Sequence, residues 1–490
     1  MPPASHYLAF DFGASSGRAV LGSLDGGRLE LHEVHRFANE PVQIGDHLHW
    51  DMPRLFGEMT TALARCAARQ ARLDGIGIDT WGVDFGLLSP AGELLGPPYH
   101  YRDSRTAGMF AEAFRRVPRE RIYARTGIQF MEINTLYQLL SVALADRGRL
   151  DAAGRLLFMP DLFAHRLTGV QRSEHTIAST SQLYDVATGQ WASDLLAALG
   201  LPEHILPPVA APGTVVGPLL PRLAGEAGLA PAEVIASASH DTASAVAAVP
   251  ADSDGWAYIS SGTWSLVGLE VPQPVRTPAA LAGNFTNEGG AAGMVRLLKN
   301  VAGLWLVQES RRIWAQQGQA FSFDELTAMA TAAPPLACFV DPDDAGFTPP
   351  GDMPQRIRDR CAARGQHVPG TPGEIVRCAL ESLALKYRST LARLEELTGQ
   401  SIRVVHVVGG GVHNTLLCQF TADATGRPVL AGPAEATAAG NVMVQALARG
   451  KVASLADLRR VIARSAELRR YEPHPSAAWE EAARRFDGLL

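Results

Sequence analysis

The chain of 490 residues is long enough for two or three domains with large apolar cores. Hydrophobic residues make up 47% and charged residues 19%, a composition that excludes an intrinsically disordered or low-complexity chain. The 50 acidic residues exceed the 44 basic ones, and the formal net charge of -6 argues against nonspecific binding to nucleic acid.

Residues 1–7 carry no cationic region and no long apolar stretch, so we expect no signal peptide. No window of about 18 uninterrupted apolar residues occurs, and we expect no membrane partner. The five cysteines are scattered and form no Cys-x-x-Cys pair, which fits a reducing cytoplasm and favours neither a disulfide framework nor a zinc site. These are Cys66, Cys338, Cys361, Cys378 and Cys418. We therefore expect a soluble cytoplasmic α/β enzyme.

The first motif is a strand that runs directly into a turn of small residues. Residues 7–10 predict a buried strand, residues 11–18 a tight turn, and residues 19–22 the returning strand of a hairpin. Glycine lets backbone amides approach an anion closely, and the serine hydroxyls add donors, so the turn can hold a phosphate. Asp11, at the end of the strand, is suited to a hydrated magnesium ion. An ordinary hairpin without a ligand is the alternative.

Two common nucleotide-binding motifs are excluded. Lys451 follows Gly450, but Gln445 stands where a phosphate-binding P-loop requires its first glycine. Gly75 and Gly77 lie inside a strand-like run and do not open a helix, as the glycines of a dinucleotide-binding fold do.

The pattern of strand, small-residue turn and strand returns half a chain later. Residues 256–259 and 266–269 are strand-like and enclose the serine- and glycine-rich turn 260–265. A third apolar strand, residues 404–408, ends in the three glycines 409–411, where a flat ligand can lie against bare backbone. Each element alone is a weak signal, and the ordered set is far more specific.

Several of these segments carry a resemblance to a known family. The N-terminal turn, the turn around Thr263 and the glycines 409–411 resemble the phosphate and adenosine motifs of the FGGY carbohydrate kinases, which belong to the actin-like ATPase superfamily. Other segments resemble the members that phosphorylate L-rhamnulose, namely residues 77–85, 101–105, 239–244, 287–290, 298–300 and 303–306. Together they follow the family order along nearly the whole chain.

The resemblance implies an α/β fold of two actin-like (ribonuclease H-like) domains with an active-site cleft between them. The N-terminal domain would span 1–245, bind mainly the sugar and carry the first phosphate loop. The C-terminal domain would span 246–490 and bind mainly ATP. The division falls near the proline and acidic stretch 250–254. Domain closure would exclude water and so prevent wasteful hydrolysis of ATP.

Phosphorylation of a sugar hydroxyl needs a base beside that hydroxyl, and Asp241 is the candidate. It follows the apolar run 234–238 and precedes the helix-like residues 242–249, so it lies near a helix N-terminus, where anions are favoured. From the residues alone, a helix-capping aspartate is the alternative. The neighbouring His240 and Thr242 can hydrogen-bond sugar hydroxyls.

The resemblance also implies a set of binding residues. Sugar contacts would come from Gly82, His240, Asp241, Thr242 and Asn300, with Asp241 as the general base. ATP contacts would come from Ala14, Ser15, Ser16, Gly17, Arg18, Thr263, Gln308 and one or both of Gly410 and Gly411. Asp11 would hold Mg²⁺ through water, so the implied cofactors are ATP and Mg²⁺. Trp81 either packs against the apolar face of a deoxysugar or belongs to the core.

The sequence contains two pairs of closely spaced histidines. His32 and His35, like His47 and His49, have no carboxylate or cysteine cluster beside them in sequence, so we expect surface positions rather than a metal site.

Residues 371–374 predict a capping box that opens a long helix ended by a glycine. Its apolar residues recur every four positions, as in a core-facing helix.

Three hypotheses about function follow. The first is an ATP-dependent kinase that places phosphate on the C1 hydroxyl of L-rhamnulose in rhamnose breakdown. The second is the same class of kinase acting on another ketose or polyol, such as L-fuculose or xylulose. The third is an actin-like ATPase without a sugar substrate, which needs no sugar-side base and is disfavoured by the run around Asp241. The expected partners are a small sugar and ATP.

Overall fold

The computed structural model describes residues 4–474 and 476–490, and the chain contains both strands and helices throughout its length. The strands are β1 (Ser5–Phe12), β2 (Ser16–Asp25), β3 (Arg28–Ala38), β4 (Val42–Ile44), β5 (His47–His49), β6 (Gly75–Thr80), β7 (Phe85–Leu88), β8 (Arg155–Phe158), β9 (Ser173–Glu174), β10 (Tyr184–Asp185), β11 (Gln190–Trp191), β12 (Val209–Ala210), β13 (Val215–Pro218), β14 (Glu233–Ile235), β15 (Trp256–Ser261), β16 (Ser265–Val271), β17 (Thr286–Gly289), β18 (Val295–Val301), β19 (Val404–Val408), β20 (Val429–Ala431) and β21 (Arg469–Tyr471).

The helices are α1 (Met52–Ala67), α2 (Met109–Arg116), α3 (Arg119–Thr126), α4 (Thr135–Ala145), α5 (Arg147–Asp151), α6 (Met159–Thr168), α7 (His175–Ser179), α8 (Ser193–Leu199), α9 (Pro221–Ala227), α10 (Asp241–Ala247), α11 (Pro278–Ala282), α12 (Trp305–Gln316), α13 (Phe323–Ala332), α14 (Met353–Ala363), α15 (Pro372–Thr398), α16 (Thr415–Thr425), α17 (Ala436–Ala448), α18 (Leu455–Ser465) and α19 (Ala477–Asp487). Short 3₁₀ helices lie at Ser104–Thr106, Glu203–Ile205, Ala291–Gly293, Ala345–Phe347 and Gly410–His413. Within the described ranges, no helix combines the length and apolarity needed to cross a membrane.

The chain folds into two compact units, each assembled from segments that are far apart in sequence. Unit 1 consists of the described chain up to Asp252, Glu270–Leu297 and Ala436–Ser465. Unit 2 consists of Ser253–Leu269, Leu298–Glu435 and Ala466–Leu490. The division of the sequence into domains 1–245 and 246–490 stays a prediction.

A six-stranded sheet in the order β13-β14-β6-β1-β2-β3 organises unit 1. Strands β1, β2 and β3 form an antiparallel meander, and β6 pairs in parallel with β1. The N-terminal hairpin is confirmed, with strands that run to Phe12 and resume at Ser16. In the register, Asp11 lies between Arg18 of β2 and Asp79 of β6. The sheet therefore brings three charged side chains together at the end of β1.

Helix α1 covers part of this sheet. Asp51 caps its N-terminus, because its side chain accepts the backbone N–H of Arg54. The buried residues Leu55, Met59 and Leu63 recur every four positions and belong to the same apolar core as Phe10 and Phe12 of β1. Burial of this amphipathic face, rather than helix propensity, supplies most of the stability of such a helix.

Glycines in β6 allow helix α17 to pack closely against the sheet. A Cβ atom at Gly77 would overlap the Asn441 amide oxygen, and a Cβ atom at Gly75 would lie 2.7 Å from the Gln445 amide oxygen. The Gln445 side chain also donates to the Leu8 carbonyl at 3.2 Å. Gly75 and Gly77 thus serve the packing of a helix on a strand.

Unit 2 contains the strand order β16-β15-β19-β20-β21. β15 pairs antiparallel with β16 and parallel with β19, which confirms the three predicted strands of this region. The predicted capping box of α15 is also confirmed. Thr371 accepts the Glu374 N–H, the Glu374 side chain binds back to the Thr371 backbone, and Gly399 ends the helix with a φ of 69°.

Candidate functional site

The predicted phosphate turn is a tight hairpin turn held by a neighbouring strand end. The Gly13 N–H donates to the Ser16 carbonyl at 2.9 Å. Asn39, just after β3, donates its side-chain amide to the Gly13 carbonyl at 2.7 Å and its backbone N–H to the Ser15 carbonyl at 3.0 Å. Ser15 is exposed, so an anion can approach this residue from solvent. At Gly17 any Cβ atom would overlap a phenyl ring of the core.

Asp11 is buried at the end of β1 and forms an ion pair with Arg18. The guanidinium of Arg18 donates to Asp11 Oδ2 through Nε at 2.9 Å and through Nη2 at 2.8 Å. Both bonds end on the same carboxylate oxygen, and together they hold the Asp11 side chain against Arg18. Ala14 is half-buried at the opposite side of the same turn.

Asp79 is a further carboxylate of this region, which sequence analysis did not single out. Its side chain is fully buried, and Oδ2 accepts the Asn441 side-chain amide at 2.5 Å. Oδ1 has no hydrogen-bond partner among the described residues. Burial and the nearby Asp11 carboxylate raise the pKa of Asp79 well above its usual value. The signal that could have identified Asp79 was its register position opposite Asp11, on β6, which pairs in parallel with β1.

Asp241 is the first residue of α10, and the side chain is 30% exposed. Its Oδ1 accepts the Thr242 N–H at 2.6 Å and the Thr242 hydroxyl at 3.1 Å. The N-cap position belongs to His240, whose side chain makes no capping bond, so Asp241 is not the helix cap. Burial raises the pKa of Asp241 above its usual value, His240 opposes this rise, and Asp11 adds to it.

His240 lies directly beside Asp241 and Gly82. Its Nε2 is 3.4 Å from Asp241 Oδ1. A Cβ atom added at Gly82 would lie 3.4 Å from the same Nε2, so glycine leaves the space beside the ring open. On its other side, His240 Nδ1 contacts the buried residues Arg296 and Glu288, at 3.0 Å and 3.2 Å. The structure therefore brings Gly82, His240, Asp241 and Thr242 together within unit 1.

Trp81 belongs to a buried aromatic cluster organised around one carboxylate. Its ring stacks on Trp50 with a centroid distance of 4.0 Å, and both indole N–H groups donate to Asp84 Oδ2, at 3.0 Å and 2.6 Å. Gln138 donates to the other oxygen of Asp84 at 2.8 Å. Since Trp81 is only 5% exposed, the structure favours core packing for most of its ring.

The predicted residues of unit 2 lie on the turn between β15 and β16, on α12, on the 3₁₀ helix after β19 and in β18. Thr263, between β15 and β16, donates its hydroxyl to the Gln308 side chain on α12 at 2.9 Å. Gly410 follows β19 with open space around its Cα, whereas a Cβ atom at Gly411 would overlap the side chain of Ser261. Asn300 lies half-buried in β18.

The carboxylates of unit 1 fit a hard divalent cation. Mg²⁺ prefers carboxylate and water oxygens and is held in proteins by one or two carboxylates. Asp11 pairs with Arg18, and one buried oxygen of the neighbouring Asp79 has no hydrogen-bond partner in the described part of the chain. The donor atoms at the end of β1 are thus of the kind that a magnesium ion would require.

The structure brings three cysteines together and corrects the expectation about two histidines. The sulfur atoms of Cys338, Cys361 and Cys378 lie within 4.8 Å of one another, although the residues are scattered in sequence. They form three ligands rather than the four of a structural zinc site, and the thiols are free. His35 and His49 are buried, against the expectation of surface positions, because each lies on a strand face that is covered.

The sequence matches the FGGY family of carbohydrate kinases along most of its length. The N-terminal domain of that family matches residues 6–248, and its C-terminal domain matches residues 257–449. A rhamnulokinase from Bacteroides thetaiotaomicron is 46% identical over 485 residues, which are 99% of each chain. A rhamnulokinase from Pectobacterium carotovorum is 43% identical over 484 residues, which are 98% of this chain and 96% of the relative.

Solved structures share the fold at much lower identity. A xylulose kinase from Lactobacillus acidophilus superimposes with a TM-score of 0.81 at 17% identity, covering 99% of this chain and 96% of the other. A glycerol kinase from Plasmodium falciparum gives a TM-score of 0.79 at 16% identity, covering 99% and 98%. These likenesses confirm the two-domain α/β fold expected from the sequence. The chain belongs to the FGGY family of carbohydrate kinases.

Proposed function

We propose that the protein transfers the γ-phosphate of ATP to the C1 hydroxyl of L-rhamnulose, giving L-rhamnulose 1-phosphate and ADP in L-rhamnose catabolism. The observation that carries this proposal is the 46% identity, over 99% of both chains, to a relative named rhamnulokinase. The grouping of Gly82, His240, Asp241 and Thr242 within unit 1 supports it, because a sugar kinase needs a base and hydroxyl-binding groups together. The need for ATP and the five free cysteines fit the cytoplasm.

Asp241 acts as the general base. Thr242 occupies Oδ1 with two hydrogen bonds, which leaves Oδ2 for the proton of the C1 hydroxyl. As this proton moves to Asp241, the hydroxyl oxygen bonds to the γ-phosphorus, and the bond from that phosphorus to the β,γ-bridging oxygen breaks. ADP leaves with the electron pair of the broken bond, and Asp241 returns its proton to solvent. His240, Thr242, Gly82 and Asn300 hold the sugar for this attack.

The phosphates of ATP bind at the N-terminal turn. The amides and hydroxyls of residues 14–17 and the guanidinium of Arg18 supply donors for phosphate oxygens. Thr263, Gln308, Gly410 and Gly411 contact the rest of the nucleotide. Asp11 would hold Mg²⁺ through water, and the bound ion would neutralise charge on the phosphates during transfer.

A coupled ADP-release assay tests the proposed function. Mg-ATP is offered with L-rhamnulose, L-fuculose, D-xylulose, glycerol or no sugar, and the rate of ADP release is compared. We expect strong preference for L-rhamnulose over a low sugar-free rate. Preference for another sugar would contradict the substrate and keep the kinase, whereas turnover independent of sugar would identify an actin-like ATPase.

The nucleotide side of the proposal predicts a specific sensitivity at Gly411. In Gly411→Ala the new methyl group overlaps Ser261, so the loop after β19 must shift by about the width of the clash. We expect KM for ATP to rise about 10-fold, as a cost of about 1.4 kcal/mol predicts, while KM for the sugar stays close to the wild-type value.

Gly370→Ala is the matched control for this variant. Gly370 also lies in unit 2, and the nearest atom to its added Cβ would be a Glu374 carboxylate oxygen at the ordinary contact distance of 3.6 Å. Both KM values should remain unchanged in this control. An unchanged KM for ATP in Gly411→Ala would show that the loop after β19 does not belong to the nucleotide site.

A further inference from the structure

His240 is clamped on one side by a buried ion pair. Arg296 is fully buried and donates through Nη2 to Glu288 Oε2 at 3.0 Å, and through Nε to the Gly289 carbonyl at 2.9 Å. The same Nη2 lies 3.0 Å from His240 Nδ1. Glu288 Oε2 lies 3.2 Å from that ring nitrogen. Two opposite charges thus meet at one nitrogen of the ring.

Hydrogen-bond chemistry decides which of the two neighbours binds Nδ1. A guanidinium carries donors only, so its approach to Nδ1 is favourable only when that nitrogen bears a lone pair. The proton of a neutral ring is then on Nε2, where it faces Asp241 Oδ1 at 3.4 Å. In the opposite tautomer, the Nδ1–H group would face an N–H group of Arg296, and the lone pair on Nε2 would face the Asp241 carboxylate. The only gain would be one hydrogen bond from Nδ1–H to Glu288.

We propose that Arg296 and Glu288 are positioning residues that hold His240 in the tautomer with the proton on Nε2. Arg296 binds Nδ1, and Glu288 neutralises and fixes Arg296. The ring then presents a hydrogen-bond donor beside Gly82 and Asp241, where it binds an oxygen of the sugar. This inference rests on the proposed function, because it assigns the Nε2–H group to the sugar substrate.

Nitrogen NMR of the protein with ¹⁵N-labelled histidine tests the tautomer directly. Long-range correlations distinguish a protonated Nε2 from a protonated Nδ1, and His240→Gln identifies the signals of His240. We expect a protonated Nε2 and an unprotonated Nδ1 in the wild-type protein at neutral pH. A proton on Nδ1, in a neutral or a charged ring, would overturn the proposal without any variant at Arg296.

Variants of the ion pair give opposite predictions. Arg296→Met removes the donors, so Nδ1 takes a proton and donates it to Glu288, and Nε2 becomes an acceptor. Glu288→Gln and Arg296→Lys keep a donor beside Nδ1 and should keep the wild-type tautomer. We expect Arg296→Met to raise KM for L-rhamnulose about 3–10-fold, the value of one hydrogen bond, with KM for ATP unchanged.

A double-mutant cycle separates positioning from a purely structural role. In the His240→Gln background, Arg296→Met should have no further effect on KM for the sugar. An equal rise in both backgrounds would overturn the positioning role. If His240→Gln alone leaves this KM unchanged, the sugar contact of the proposed function fails instead.

Arg377→Met serves as the matched control. Arg377 pairs with Glu381 at 2.7 Å in unit 2, and the two side chains are 12% and 1% exposed. Loss of this buried pair should lower stability as in Arg296→Met, because a buried carboxylate loses its partner in both. The His240 signals and both KM values should stay as in the wild type.

Discussion

Replacing Asp241 with asparagine is expected to lower kcat about 10²–10⁴-fold, with little change in KM for either substrate. Asparagine has the same shape and can still accept the two hydrogen bonds from Thr242, but it cannot take the proton of the sugar hydroxyl. Substrate binding is therefore kept while proton transfer is lost. The coupled ADP-release assay at saturating sugar measures this loss.

The pH dependence provides a second measure of the same residue. Burial raises the pKa of Asp241 above its usual value, so the carboxylate forms only as the pH rises through that raised pKa. The kcat/KM of the wild type should therefore fall on the acidic side, and Asp241→Asn should lack that decline. Asp194→Asn, at a side chain 46% exposed, should behave as the wild type. Near-normal turnover of Asp241→Asn would rule out the assigned base.

Gly440→Ala is expected to produce the largest loss of stability among single-methyl changes in unit 1. Gly440 lies on α17 where this helix crosses α10, and an added Cβ would overlap the Ser244 carbonyl oxygen. The obstacle is backbone rather than a flexible side chain, so the helices must separate. Overpacking of this kind costs about 1–3 kcal/mol or more. Because α10 begins with Asp241, the displacement should also lower kcat.

Gly57→Ala is the matched control for Gly440→Ala. Gly57 lies within α1, in the same unit, with open space around its Cα. Alanine there should raise stability by about 0.5–1 kcal/mol, since it lowers the conformational entropy of the unfolded chain. Urea unfolding of both variants gives the two free energies. Equal free energies of unfolding for Gly440→Ala and the wild type would show that α10 and α17 accommodate the methyl group without a loss of stability.

Local patterns in the sequence predicted the elements that depend on neighbouring residues. The capping box of Thr371 and Glu374 needs only residues three apart, and the hairpin of β1 and β2 needs only a short turn. Both are formed as expected. The apolar runs likewise predicted the strands β1, β15 and β19, whereas the two-domain fold was implied by the resemblance to the FGGY kinases.

Such local patterns could not predict contacts between residues that are far apart in the sequence. Asn441 binds Asp79 across 362 positions, and no local signal relates the two. The meeting of Cys338, Cys361 and Cys378 also depends on how α14 and α15 pack. Arg296 was not singled out at all, since its role comes from the ring of His240, 56 positions away. The positions of these side chains follow from tertiary packing rather than from spacing.

Unit 1 is assembled from distant segments of the chain, and this affects how it folds during synthesis. Its sheet is closed by α17, which belongs to Ala436–Ser465 and arrives after most of the chain has been synthesised. Until then, the glycine-bearing surface of β6 lacks its helix, and the buried residues Tyr7 and Ala9, which pair with Gly75 and Gly77, lack part of their cover. A nascent chain in this state exposes apolar surface and favours aggregation or chaperone binding. Translation must therefore pass residue 465 before the half that begins the protein can finish folding.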